Sequence, residues 1–193
     1  MRYSWFRVTA ARHWRAIVIA TCAAAIVIAV ALIWSRPATS VSKSTGQLSA
    51  GYAQVSRPAP AFDLPRLQGG GTVRLSALRG RPVVINFWSS SCAPCQKESP
   101  AIAEVARAVG DKVSFVGIDT ADLRNAAIAF MKKSHVTYDV AYDPQGNTAS
   151  LYRVPALPET FFLARSGRQI VGLQLGPLTA PHLTAILHKL YGV

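Results

Sequence analysis

The chain has 193 residues, room for one ordinary domain with appendages. Half of them are apolar and 16% are charged, which excludes a chain disordered throughout. The net charge of +12 suggests a nucleic-acid partner, but its distribution excludes one: from Ala59 onward 14 Lys or Arg are offset by 9 Asp or Glu, with no dense basic run.

Arg2, Arg7, Arg12 and Arg15 mark residues 1–15 as a basic cytoplasmic N-terminus. Residues 16–34 (AIVIATCAAAIVIAVALIW) carry no charge. As a helix they would span ~28 Å, close to the ~30 Å hydrocarbon core of a bilayer. Trp14 and Trp34 stand at the two ends, where amphipathic rings prefer the headgroup level. The segment therefore reads as a transmembrane signal anchor. The positive-inside rule keeps the arginines cytoplasmic and places everything after Trp34 outside. A cleaved secretory signal is the competing reading; its apolar core is ordinarily about 7–15 residues, and an Ala-x-Ala site at Ala29–Ala31 falls inside the run. Cys22, mid-span, is small apolar filling.

Residues 35–58 are rich in Ser, Thr, Ala, Gly and Pro, lack acids and periodic apolar positions, and read as a flexible linker. Residues 59–193 have the texture of a folded domain. Phe62–Leu64 and Thr72–Leu75 flank Gly69–Gly71 as a short hairpin, and Pro82–Trp88 is an apolar run expected of a strand buried on both faces. Ile102, Val105, Ala106 and Val109 recur at helical spacing up to Gly110. Val113–Ile118 is a second buried strand, Leu123 to Met131 a helix, and Tyr138–Tyr142 a short strand closed by the turn Asp143–Gly146. Thr160–Leu163 and Gln169–Leu175 form a hairpin about the turn Arg165–Arg168, and Leu183 to Tyr191 a closing helix. That order predicts a three-layer α/β fold whose parallel strands are joined by helical crossovers.

Cys92-Ala-Pro-Cys95 stands between the first buried strand and a helix start. Unpaired N–H groups and the positive end of the helix dipole favour an anion there, so Cys92 forms thiolate more readily than a free cysteine. The spacing lets Cys95 close a disulfide one turn on, and Pro94 suits the first turn, where its missing N–H costs nothing. A zinc half-site would need a second ligand pair, and none is visible among His135, His182 and His188. Haem attachment would need His where Gln96 stands. A purely structural disulfide stays open as an alternative, although closing so small a loop adds little stability. No cofactor or metal is called for, since two sulfurs carry the electrons.

The stretch Ile85-Asn-Phe-Trp-Ser-Ser-Ser-Cys-Ala-Pro-Cys-Gln-Lys-Glu-Ser-Pro100 resembles the active-site region of thioredoxin-like proteins, and in particular their membrane-tethered TlpA/ResA-like branch. The likeness covers about residues 59–193 and includes Leu75–Pro82 and Val154-Pro-Ala-Leu-Pro-Glu-Thr-Phe-Phe-Leu163. It implies a thioredoxin-like three-layer α/β fold with a central mixed β-sheet, preceded by one N-terminal transmembrane helix. It further implies that Cys92 is the nucleophile, Cys95 the resolving thiol, and Pro158 a cis-proline that leaves the Leu157 backbone free to pair with a substrate strand. Glu98, one helical turn past Cys95, would tune the pair and accept its proton; a solvated first-turn glutamate is the plainer alternative. Trp88 would pack beneath the loop and Pro100 would kink the helix. Asn86 takes the place of the buried Asp of ordinary thioredoxins, and Ser91 that of the bulky residue before the first cysteine.

These readings converge on an extracytoplasmic thiol–disulfide oxidoreductase, single-pass in the cell membrane. A reductase of exported protein disulfides comes first, as in cytochrome c maturation, with apocytochrome c a possible client and a membrane electron-donor protein regenerating it. An oxidase of folding proteins and a non-enzymatic metal-binding dithiol module are the alternatives. A peroxidase of related fold would want Pro-x-x-x-Thr-x-x-Cys at the first cysteine, and Ile85 and Ser89 occupy the Pro and Thr positions.

Overall fold

The computed structural model describes residues 51–193; the N-terminal basic segment, the segment read as a transmembrane anchor and most of the linker lie outside them. Among the described residues no helix is long and apolar enough to cross a membrane.

Eight strands and four α-helices follow in the order β1 (Tyr52–Pro58), β2 (Asp63–Pro65), β3 (Thr72–Arg74), β4 (Val83–Trp88), α1 (Ala93–Val109), β5 (Ser114–Thr120), α2 (Arg124–Lys133), β6 (Asp139–Asp143), α3 (Asn147–Tyr152), β7 (Glu159–Leu163), β8 (Gln169–Leu175) and α4 (Ala180–Tyr191). Six strands form one mixed sheet, β1-β8-β7-β4-β5-β6, and β2 and β3 pair as a separate ribbon. Strands β4, β5 and β6 run parallel, while β7, β8 and β1 add antiparallel partners.

Strand β4 is buried at all six positions because it lies inside the sheet with both faces covered. On one face Ile85 and Phe87 pack with Phe161, Tyr152 of α3 and Phe62 and Val73 of the ribbon region. On the other, Val84 meets Ile102 and Val105 of α1 and Leu183, Ile186 and Leu187 of α4. Trp88 shares that face with Cys95 of α1 and with Ala127 and Phe130 of α2. This is the three-layer order with a central mixed sheet that the sequence predicted.

Two features correct the sequence reading. Residues 52–58, assigned to the flexible linker, form an edge strand paired antiparallel to β8, so the folded domain begins before residue 59. The segment shows no apolar alternation because it is half exposed, and Pro58 sits where an edge tolerates a missing N–H. Its order comes from the ladder that β8 offers. The turn after Asp143 continues as α3, six residues too short to show a periodicity. Asp143 caps it by accepting the amides of Thr148 and Ala149, at 3.2 and 3.1 Å.

Candidate active site

Cys92 ends the loop after β4 and is the N-cap of α1; its sulfur accepts the Cys95 amide at 3.2 Å. Pro94 lies within the first turn, where no intrahelical donor is lost, and is exposed. The two cysteines are joined as a disulfide with Cα atoms 5.2 Å apart. Cys92 is half-buried and Cys95 fully buried, so an approaching partner meets Cys92 first.

The loop into Cys92 is held by its own polar atoms. Ser89 O accepts the Cys92 amide at 3.1 Å, and Gln96 Nε2 donates to Ser90 O at 2.7 Å. The Ser91 side chain meets that of Ser89, Oγ to Oγ 2.9 Å, and leaves an exposed polar rim. Trp88 packs beneath, its ring 4.8 Å from that of Phe130. Gly117 beside it is required, because a Cβ there would come within 2.7 Å of the Trp88 indole nitrogen.

Glu98 is buried, which removes the solvated alternative. Its Oε1 accepts Asn86 Nδ2 at 2.9 Å and its Oε2 the Leu178 amide at 2.8 Å, while Asn86 Nδ2 also reaches Thr160 Oγ1 at 3.0 Å. Burial pushes the carboxyl up from 4.5 to about 7, against the lowering effect of its two donors. A group poised there exchanges protons readily at neutral pH.

The Leu157–Pro158 bond is cis. Pro158 is buried and its carbonyl accepts the Gly176 amide at 3.0 Å. Leu157 and Cys92 pack against the same cluster of Trp88, Cys95 and Leu67. The fold thus gathers Trp88, Cys92, Cys95 and Leu157 at one place and joins Asn86 to Glu98. The hydrogen bonds of Glu98 go to Asn86 and Leu178, and not to the Leu157–Pro158 segment.

Three acidic residues near the site escaped the sequence reading. Glu159 directly follows Pro158, is 2% exposed, and is pushed by burial to about 7, with Arg57 opposing the shift. Asp119, next to the last residue of β5, is fully buried, and burial with the nearby Asp122 charge raises it from 3.8 to about 8. For Asp122 itself, burial would raise the pKa, but hydrogen bonds from Ser90 and Leu123 outweigh it and hold the carboxyl below its ordinary value. The available signal was position: a polar residue at the C-terminal end of a parallel strand lies where sites of α/β sheets gather. Among the described residues no cluster of His, Cys, Asp and Glu is arranged to hold a metal ion.

Residues 55–169 match the AhpC/TSA family. The thiol–disulfide oxidoreductase ResA of a Bacillus cereus strain is 30% identical over 138 residues, covering 71% of this chain and 79% of the relative. The thiol:disulfide interchange protein DsbE homolog of Paracoccus denitrificans is 33% identical over 134 residues, 68% of this chain and 72% of the relative. The crystal structure of a DsbF homologue from Corynebacterium diphtheriae superposes with a TM-score of 0.67 at 30% identity, over 75% of this chain and 96% of that one.

Proposed function

The chain belongs to the AhpC/TSA family and is a thiol–disulfide oxidoreductase of the ResA/DsbE type; from that premise we propose that it reduces disulfides of exported proteins outside the cytoplasm, apocytochrome c being one candidate client. The observation that carries the reading is the asymmetry of the dithiol, with Cys92 half-exposed at a helix N-terminus and Cys95 buried behind it.

In the reduced protein the Cys92 thiolate attacks one sulfur of a client disulfide. The client S–S bond breaks, a mixed disulfide forms, and the client's leaving thiolate takes up a proton. Cys95 then loses its proton, for which Glu98 is the nearby acceptor, and attacks the Cys92 sulfur. The Cys92–Cys95 bond closes and the client's second thiol leaves, so two electrons have passed to the client. The Leu157 backbone before cis-Pro158 would pair with the client strand; Leu157 has no backbone partner among the described residues. Trp88, Pro94 and Asn86 support the loop, the helix start and Glu98.

Residues 16–34 as a single-pass anchor, residues 1–15 in the cytoplasm and the tether before β1 complete the proposal. In that compartment the dithiol needs a membrane electron donor to return it to the reduced form. Trapping with Cys95→Ala tests the reading, because the mixed disulfide then has no resolving thiol. Exported clients accumulating on Cys92 are expected, and a folded variant that traps nothing would overturn it. The direction is read from the reduction potential: about −270 mV supports reduction, and about −120 mV would replace it by oxidation.

A further inference from the structure

Asp119 lies opposite Trp88 in the β4–β5 register and opposite Tyr142 in the β5–β6 register, fully buried. Neither of its oxygens has an N–H or O–H donor among the described residues. The polar side chain that meets it is a second carboxyl, that of Asp122. Asp122 is well supplied: Oδ2 accepts the Ser90 amide, and Oδ1 the Leu123 amide at 2.7 Å. Two carboxyls in contact, one of them fully buried, do not readily both ionise, and the proton settles on the one whose charge is stabilised least. Asp119, without a donor, is that one. Its O–H then has an acceptor in Asp122, which resolves the otherwise unpartnered buried group.

We infer that Asp119 and Asp122 share one proton, and that this pair positions the Ser89–Ser91 turn leading into Cys92, with the turn loosening when the proton is lost. The path is continuous. Asp122 holds the Ser90 amide, Gln96 holds the Ser90 carbonyl, and the Ser89 carbonyl holds the Cys92 amide. When Asp119 ionises, two negative charges face each other, one of them fully buried. Asp122 must then turn outward, and Ser90 loses its acceptor. Three charged groups act on Asp119: Asp122 on the loop and Asp143 at the end of β6 oppose its ionisation, and Arg124 at the start of α2 favours it. Arg124 is already engaged, donating to Leu67 O at 2.6 Å and lying 4.1 Å over the Tyr142 ring. Trp88 has no titratable group, and the Tyr142 hydroxyl is engaged, donating to the Asp122 carbonyl at 3.1 Å. Both acids are positioning residues, and the inference rests on Cys92 being the attacking thiol only for its effect on rate.

The test uses the oxidised full-length protein in detergent, in which neither cysteine of the pair titrates. The Ser90 amide resonance is followed from pH 6 to 9.5. An inflection near pH 8, the value to which Asp119 is raised, is expected in the wild type. It should vanish in Asp119→Asn, whose amide donates to Asp122 without a proton to lose. In the reduced proteins, Cys92 alkylation by iodoacetamide should level off above that pH in the wild type and keep rising in the variant. A Ser90 amide without an inflection between pH 7 and 9, or one unchanged in Asp119→Asn, overturns the inference. Should the variant fail to fold, carboxyl-carbon labelling of aspartate in the wild type decides: Asp119 titrating near pH 8 supports the shared proton, and near pH 4 refutes it. These readouts do not depend on a client, so failure of the Cys95→Ala trap would remove the proposed function and leave the carboxyl pair standing.

Discussion

Glu98 and Asp119 are both carboxyls buried on the face of the sheet that carries α1, yet they meet opposite surroundings. Glu98 is fed by two donors, Asn86 Nδ2 and the Leu178 amide, whereas Asp119 meets no donor and another acid. Both end with raised pKa values, about 7 and about 8, but for Glu98 burial acts against its hydrogen bonds while for Asp119 burial and a like charge act together. A donor-rich buried acid holds the fold in either protonation state. A donor-poor one holds it only with its proton on.

The largest test converts the first kind into the second. Asn86→Asp puts a carboxyl where the Glu98 donor was, 2.9 Å from Oε1. It should lower stability by about 4 kcal/mol at pH 8 and by much less at pH 5, where both acids hold protons. Urea unfolding at the two pH values measures it, and an equal loss at both would show that charge is not the cause.

Next, Glu98→Ala orphans Asn86 Nδ2 and the Leu178 amide and opens a cavity, for a loss of about 3 kcal/mol. Asp119→Ala orphans no donor that the ionised form held and should lose roughly half as much, mostly through its cavity. Thermal unfolding of the two variants side by side ranks them, and the reverse order would break the comparison.

A third test is the pH dependence. Glu98, Glu159 and Asp119 have folded pKa values of about 7, 7 and 8, above their ordinary 4.5, 4.5 and 3.8. Between about pH 4 and 8 the folded state therefore binds more protons than the unfolded one, and stability falls as pH rises through that window. Glu98→Gln should flatten the slope between pH 4.5 and 7, and Asp119→Asn should flatten it up to about pH 8. Stability measured at unit pH steps separates the two. As a control without a titrating group, Gly117→Ala adds one methyl against the Trp88 indole and should cost about 2 kcal/mol at every pH, with no slope of its own.

The site was legible where residue type and spacing carry the chemistry. Cys92, Cys95 and Pro94 are joined to a helix start by adjacency in the chain, and Trp88 by the apolar run before it. Asn86 and Glu98 were singled out separately, but their bond joins strand to helix and needed coordinates. Asp119 was not legible as a buried group, because nothing adjacent in sequence supplies the layers that cover it. Glu159 shows the same limit from one residue beyond Pro158: it shares a strand face with Phe161, whose cluster is assembled from distant parts of the chain.

By itself, the sequence determined the order of strands and helices from Phe62 to Tyr191 apart from the six-residue α3, because apolar periodicity and turn residues act locally. It also determined the dithiol, because a helix N-terminus and a three-residue spacing are properties of one short segment. Only the tertiary structure made residues 52–58 a strand, since β8 supplies its hydrogen bonds from the far end of the chain. Only the tertiary structure separated the acids into donor-rich and donor-poor, because a carboxyl's proton affinity depends on which distant groups share its dry surroundings.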